Sequence, residues 1–259
     1  MQDYGLVSVI TPSYNCARFI GATIESVQAQ TYPNWELIIV DDCSTDHSRE
    51  VIEKYIGEDP RIKLVVLERN SGAAVARTKA MQLAQGRYMA FLDSDDLWVP
   101  DKLERQLEFM NKYHHAFSCT AYEQIDENGN SLNRIIHTKR KVDYNRLLLD
   151  CPVGNSTVMY DVAVMGKFEV PDIRKRNDDA LWLKMLKREK YIWGIPDVLM
   201  QYRIRPGSIS IDKLSLIKYH WYLYREVEHL SVLRSVFHIG YWCLSLIHIS
   251  EPTRRVVIS

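Results

Sequence analysis

The chain has 259 residues, 46% of them apolar and 25% charged, enough to bury a substantial core and too apolar for a disordered chain. Lysine plus arginine equals aspartate plus glutamate at 33 each, so no overall field favours nucleic acid or an acidic lipid surface, and partners must be read from local sites. The five cysteines, Cys16, Cys43, Cys119, Cys151 and Cys243, are odd in number and include no CxxC pair, which argues against a disulfide framework or a zinc site and for a reducing cytosol.

Met1 to Leu6 carries Asp3 and no basic segment leading into an apolar one, so neither a signal peptide nor a transit peptide is expected. No apolar run approaches the ~20 residues that span a bilayer. The longest, Val236 to Ile249, is interrupted by His238, Gly240 and His248.

In chain order, Leu6 to Thr11, Trp35 to Val40, Ile62 to Leu67 and Tyr88 to Leu92 read as strands rich in β-branched and aromatic residues. Between them, Arg18 to Gln30, Ser48 to Ile56 and Ala73 to Leu83 carry helical stripes. Strand alternating with helix predicts an α/β fold with a doubly wound, mostly parallel sheet of Rossmann-like kind. In such a sheet ligands sit beyond the carboxyl ends of the strands, where the strand order reverses.

Pro100 to Tyr113 reads as a helix, Ala116 to Tyr122 as a strand, and Asp126-Glu127-Asn128-Gly129-Asn130 as a turn between strand-like runs. A helix at Tyr144 to Leu149, an extended run at Ser156 to Tyr160, a helix at Asp178 to Arg188 and a strand at Val198 to Arg203 follow. Beyond Asp212 come one or two amphipathic helices rich in Tyr, Trp and Leu.

The strand ends are unusually polar. Thr11-Pro12-Ser13-Tyr14-Asn15 follows the first strand, Asp41-Asp42-Cys43-Ser44-Thr45-Asp46 the second, and Asp93-Ser94-Asp95-Asp96 the fourth. Alternate carboxylates such as Asp93 and Asp95 offer the oxygen ligands that hard divalent cations require, and such a cation stabilises a departing diphosphate. Taken alone, the triplet also suits a helix cap or a solvated turn. Three polar strand ends aimed at one crevice favour a site.

Three stretches in this order resemble the family 2 glycosyltransferases: Val7 to Asn15, Glu36 to Asp46, and Asn70 to Arg77 followed by Gly86-Arg87-Tyr88 and Asp93 to Asp96. The resemblance implies a GT-A fold for residues 1–210, with a nucleotide-sugar half at 1–113 and an acceptor and base half at 114–210. It implies inverting transfer from a nucleotide-diphosphate sugar, expected to be a UDP-sugar, to a saccharide or lipid-linked acceptor in surface polysaccharide synthesis. Mn2+ or Mg2+ is the implied cofactor.

By the same resemblance Thr11, Pro12 and Tyr14 line the base and ribose pocket, Asp42 accepts from the base, and Asp41 supports its loop. Asp95 becomes the principal metal ligand, Asp93 a ribose or metal contact with Ser94 beside it, and Arg77 a nucleotide neighbour or else a helix-surface arginine. Asn177-Asp178-Asp179-Ala180-Leu181-Trp182 resembles the Glu-Asp motif at a helix start, so Asp178 aligns with the catalytic base and Asp179 is the second candidate. Asn177 departs from the glutamate often found there. Tyr202 to Ser210 resembles the loop that closes over the donor, with Arg205 as a phosphate contact.

The aromatic extension, 211–243, suits either a peripheral contact of residues 214–242 with the inner face of the cell membrane or packing against protein. The expected location is thus cytoplasmic, with no nucleic-acid partner. Leu244 to Arg254 looks like a reading frame of a sequencing-library adapter, so 244–259 is expected to be a non-native tail, loosely packed from Ser250 on. A nucleotidyltransferase, or a binding module without catalysis, would share the carboxylate crevice. The first needs a glycine-rich, basic triphosphate site that Thr11 to Arg18 lacks.

Overall fold

The computed structural model describes residues 2–205 and 213–250. The N-terminal half runs β1 (Val7–Ser13), α1 (Ile20–Gln28), β2 (Trp35–Asp41), α2 (Ser48–Glu58), β3 (Ile62–Val66), α3 (Ala73–Leu83) and β4 (Tyr88–Phe91). These strands stand in the order β3-β2-β1-β4, all parallel, so the order reverses between β1 and β4. Every residue of β1 and β2 is buried, as strands covered on both faces must be.

Side-chain alternation along these strands builds two cores. Leu37 and Ile39 face one way, onto Ile20 and Ile24 of α1 and Ile52 of α2. Ile38 and Val40 face the other, toward Ala76 and Ala80 of α3. Period-2 patterning on strands thus seats helices on both faces, which is the doubly wound arrangement.

The second half adds β5 (Leu97–Trp98), α4 (Lys102–Tyr113), β6 (Phe117–Ile125), β7 (Ser131–Ile136), β8 (Lys141–Val142), α5 (Tyr144–Leu149), β9 (Met159–Asp161), α6 (Val162–Met165), α7 (Asn177–Leu186) and β10 (Ile192–Arg203). The sheet continues without a break as β4-β9-β6-β10-β5, with β7 on β6 and β8 on β10. Parallel pairing gives way here. β9 lies antiparallel between β4 and β6, and among these added strands only β6 and β10 run parallel.

β10 begins six residues before the strand expected at Val198. Gly194 and Pro196 hide its first half, and register shifts at Ile195/Val198 and Val198/Met200 absorb a proline that has no amide to donate. α8 (Lys213–Tyr222), a π-helical turn at Leu223–Val227 and α9 (Val232–Ser250) complete the described chain. α9 runs on through 244–250, while 251–259 and residues Pro206 to Ser210 of the expected closing loop lie outside the described residues.

Gly86 sits where β4 approaches β1. A Cβ there would meet the Ser8 amide nitrogen at 2.6 Å and the Leu6 carbonyl oxygen at 2.7 Å, backbone atoms that cannot swing aside. Gly86→Ala should therefore destabilise the fold by about 1–3 kcal/mol, the range for overpacking. Urea unfolding checks this, and an unchanged midpoint would show that β1 and β4 are not held this closely.

Candidate active site

A cleft of about 640 Å³ opens at the carboxyl ends of β1, β2 and β4, at the reversal of strand order. Pro12 and Tyr14 line it from β1 and its loop, Asp42 from the end of β2, Arg77 from α3, and Asp93, Ser94 and Asp95 from the loop after β4. Asp178 and Arg205 reach the same cleft from the second half. Three of the sequence candidates lie behind this wall. Thr11 and Asp41 are fully buried, and Asp179 is buried against Arg176.

The loops after β1 and β2 brace each other. The Asn15 amide donates to the Ser44 hydroxyl at 2.9 Å, the Thr45 amide to the Asn15 side-chain oxygen at 2.8 Å, and the Ala17 amide to Asp46 at 3.0 Å. Asp41 accepts from the Ser44 amide at 2.8 Å and pairs with Arg49 at 3.1 Å, so it holds the loop from beneath. Asp42 takes the Ser71 and Gly72 amides at 2.6 and 2.7 Å, one on each oxygen. Gly72 has φ +92 at the start of α3, a conformation that glycine adopts without strain. Each Asp42 oxygen still has a lone pair to offer the cleft.

Arg77 is 4% exposed, not a helix-surface residue. Its guanidinium donates to Asp93 at 3.0 Å and to the Asn177 side-chain oxygen, tying the loop after β4 to the first turn of α7. Asn155 donates to the same Asp93 oxygen at 2.8 Å. Desolvation, reinforced by the charges of Asp95 and Asp178, nevertheless raises the Asp93 carboxyl to about 6 against the pull of Arg77. A carboxyl so placed ionises more readily when a cation joins it.

Asp95 pairs with Arg205 at 2.7 Å, the guanidinium lying over the Phe19 ring at 5.5 Å. Asp96 points inward. It accepts from Ser156 at 2.6 Å and from the Arg203 amide at 3.0 Å, and burial beside Asp95 and Asp93 pushes its carboxyl well above the usual range. Arg203 then donates to the carbonyls of Asp95 at 2.7 Å, Asp126 at 3.2 Å and Glu127 at 3.1 Å. The carbonyls that shape the acidic loop are thus fixed from β10.

Trp182 positions α7. Its ring is buried edge-on to Phe91 at 4.9 Å and against Phe117 at 5.8 Å, wedging the helix onto β4 and β6. Asp178 then falls in the first turn, where the helix dipole favours a carboxylate. Arg176, just before the helix, adopts a left-handed conformation at φ 65 and pairs with Asp179 at 2.5 Å. Desolvation raises Asp179 to about 6 with Arg176 opposing.

Sequence reading had passed over several residues that complete the site. Asn155 and Ser156, which hold Asp93 and Asp96, lie in a 3-10 turn at Asn155–Thr157, where the sequence pattern predicts an extended run from Ser156. The polar run Gly154 to Thr157 between apolar stretches was the available signal. Arg174, Lys175 and Leu216 also line the cleft, and nothing in their spacing announced it.

A sequence model described as glycosyl transferase family 2 matches residues 8–172. TuaG of Bacillus subtilis, a glycosyltransferase assigned to teichuronic acid biosynthesis, is 47% identical over 238 residues, covering 92% of each chain. WfgD of Escherichia coli, a UDP-Glc:alpha-D-GlcNAc-diphosphoundecaprenol beta-1,3-glucosyltransferase, is 42% identical over 223 residues and 85% of each chain. The S. aureus TarS 1-349 structure with UDP-GlcNAc shares the fold at TM-score 0.69 and 21% identity, covering 92% of this chain and 71% of that one.

The balance at Asp93 is open to direct titration. Carbon-13 NMR of labelled aspartates should show Asp93 ionising near a pH of about 6. In Arg77→Met, where the guanidinium no longer lowers it, the midpoint should move higher. A titration in the ordinary carboxylate range near ~4 would mean that the site is neither dry nor crowded with like charge.

Proposed function

The chain belongs to glycosyl transferase family 2, and from that membership we propose that it is an inverting transferase carrying a sugar from a UDP-sugar to a hydroxyl of a saccharide or lipid-linked glycan in surface polysaccharide synthesis. One observation carries the reading: Asp42, Asp93, Asp95 and Asp178 share a single cleft at the strand-order reversal. WfgD, which uses UDP-Glc, and TarS, solved with UDP-GlcNAc, support the donor type, and WfgD the lipid-linked acceptor.

Pro12 and Tyr14 would flank the base, and Asp42 would accept from it. Asp93 and Asp95 fit a hard cation by their oxygen donors and by the desolvated like charge that a cation relieves. Among the described residues no group of three His, Cys, Asp or Glu side chains could hold a metal, so the remaining ligands would be donor phosphate oxygens and water. Mn2+ or Mg2+, when bound, would stabilise the charge developing on the leaving diphosphate.

Asp178 takes the proton of the acceptor hydroxyl. The hydroxyl oxygen bonds to the anomeric carbon from the face opposite the diphosphate, whose bond to that carbon breaks, and the configuration inverts. Asp179, buried and paired with Arg176, orients the helix start instead of meeting substrate. Arg205, paired with Asp95, would turn to the diphosphate as its cation.

UDP with Mn2+ should raise the melting temperature of the wild type but not of Asp95→Ala. Asp178→Asn should keep that gain and lose transfer by about 10²–10⁴-fold, the span of general-base effects. A wild type indifferent to Mn2+ in the presence of UDP would defeat the assignment of the acidic loop.

The reading extends to a peripheral seat on the cytoplasmic face of the membrane. No described helix is long and apolar enough to cross a bilayer. α9 nevertheless exposes Leu233 at 84%, Phe237 at 62% and Val236 at 56%, neighbours on one helical face. Arg234 on the same helix and Lys218 on α8 could meet anionic headgroups. With vesicles containing anionic lipid, the wild type should co-sediment and Leu233→Glu/Phe237→Glu should remain in the supernatant at unchanged melting temperature. Equal sedimentation of both proteins would remove the membrane role from this face.

A further inference from the structure

We propose that Arg174 and Lys175 form a second anion subsite, separate from that of the donor diphosphate, which takes the diphosphate group of a lipid-linked acceptor. The assignment rests on the transferase reading above. Arg174-Lys175-Arg176 runs directly into Asn177-Asp178, and all three cations line the cleft. Arg176 is spent internally on Asp179 at 2.5 Å. Arg174 is exposed and Lys175 half-buried.

The donor diphosphate already has its own counter-charges. Arg77 and Arg205 contact Asp93 and Asp95, the loop where that diphosphate would sit. Arg174 and Lys175 belong to the other wall, beside the proposed base. Three to four residues separate them from Asp178, and three residues of chain span at most ~10 Å, the reach of one sugar ring plus a phosphate. A hydroxyl at Asp178 would thus leave the phosphate on the far side of its sugar near these cations.

Beyond them the cleft meets α8. The Lys175 ammonium lies 5.6 Å from the Tyr219 ring on α8, and Leu216 of α8 lines the same cleft. α8 packs on α9 through His220 and Trp242, whose rings are 4.3 Å apart, and α9 carries the exposed Leu233 and Phe237. An acceptor that runs hydroxyl, sugar, diphosphate would follow the track from Asp178 to Lys175 and Arg174. A neutral free saccharide would use only the first part of this track. Arginine and lysine are the donors suited to a diphosphate, by forked hydrogen bonding and by charge.

The test is calorimetric titration of geranyl diphosphate, and of geraniol as its uncharged counterpart, into the full chain held at saturating UDP and Mn2+. The wild type should bind the diphosphate at least about tenfold more tightly than the alcohol. Arg174→Ala/Lys175→Ala should abolish that preference while its affinity for UDP stays unchanged, and Arg174→Lys/Lys175→Arg should restore most of it. No discrimination in a wild type that binds UDP would overturn the subsite, as would a double variant whose UDP affinity falls together with its affinity for geranyl diphosphate. A wild type that binds no UDP at all would instead strike down the transferase reading beneath it.

Discussion

Like charge gathered at one sheet edge is the constraint around which this molecule is arranged. Asp93, Asp95 and Asp178 come close enough for the charges of the other two to raise Asp93, in a setting where desolvation already disfavours ionisation. Arg77 is what makes the arrangement tolerable. Buried at 4% exposure, it joins Asp93 to Asn177 and so couples the donor half to the helix bearing Asp178. Removing Asp93 would leave the buried Arg77 charge without its carboxylate, which is why the arginine is both structural and part of the site.

Support for the acidic loop is divided by residue. Asp96 turns inward to Ser156 and the Arg203 amide, which leaves Asp93 and Asp95 directed at the cleft. Arg203 grips the Asp95 carbonyl and, with the same guanidinium, the carbonyls of the turn after β6. Since Arg205 pairs with the Asp95 side chain two residues later, the chain entering 206–212 is joined to the acidic loop through both backbone and carboxylate.

The four N-terminal strands, their helices and the crevice were legible because local patterns coincide there with global ones. β1 and β2 are continuous apolar runs ending in polar residues, and each helix follows a glycine or a turn. Legibility failed where tertiary context decides. Pro196 disguised a twelve-residue β10, and the antiparallel insertion of β9 leaves no periodic signature. Thr11 and Asp41 stand beside cleft residues in sequence, yet one faces inward and the other holds Ser44 and Arg49 from below. Alternation along a strand end sends every second side chain away from the ligand, a parity that a motif match does not resolve. Asn177 was seen as a departure from a glutamate, but its partner Arg77 is one hundred residues away.

Asn177 also changes the charge carried by that partner. A glutamate there would give Arg77 a second anion, whereas the neutral amide accepts its hydrogen bond without adding charge. On the opposite wall Arg176 pairs with Asp179, and Arg174 and Lys175 line the cleft beside it. Arg174 and Lys175 lead directly into α7, which carries Asp178 and which Trp182 seats on β4 and β6.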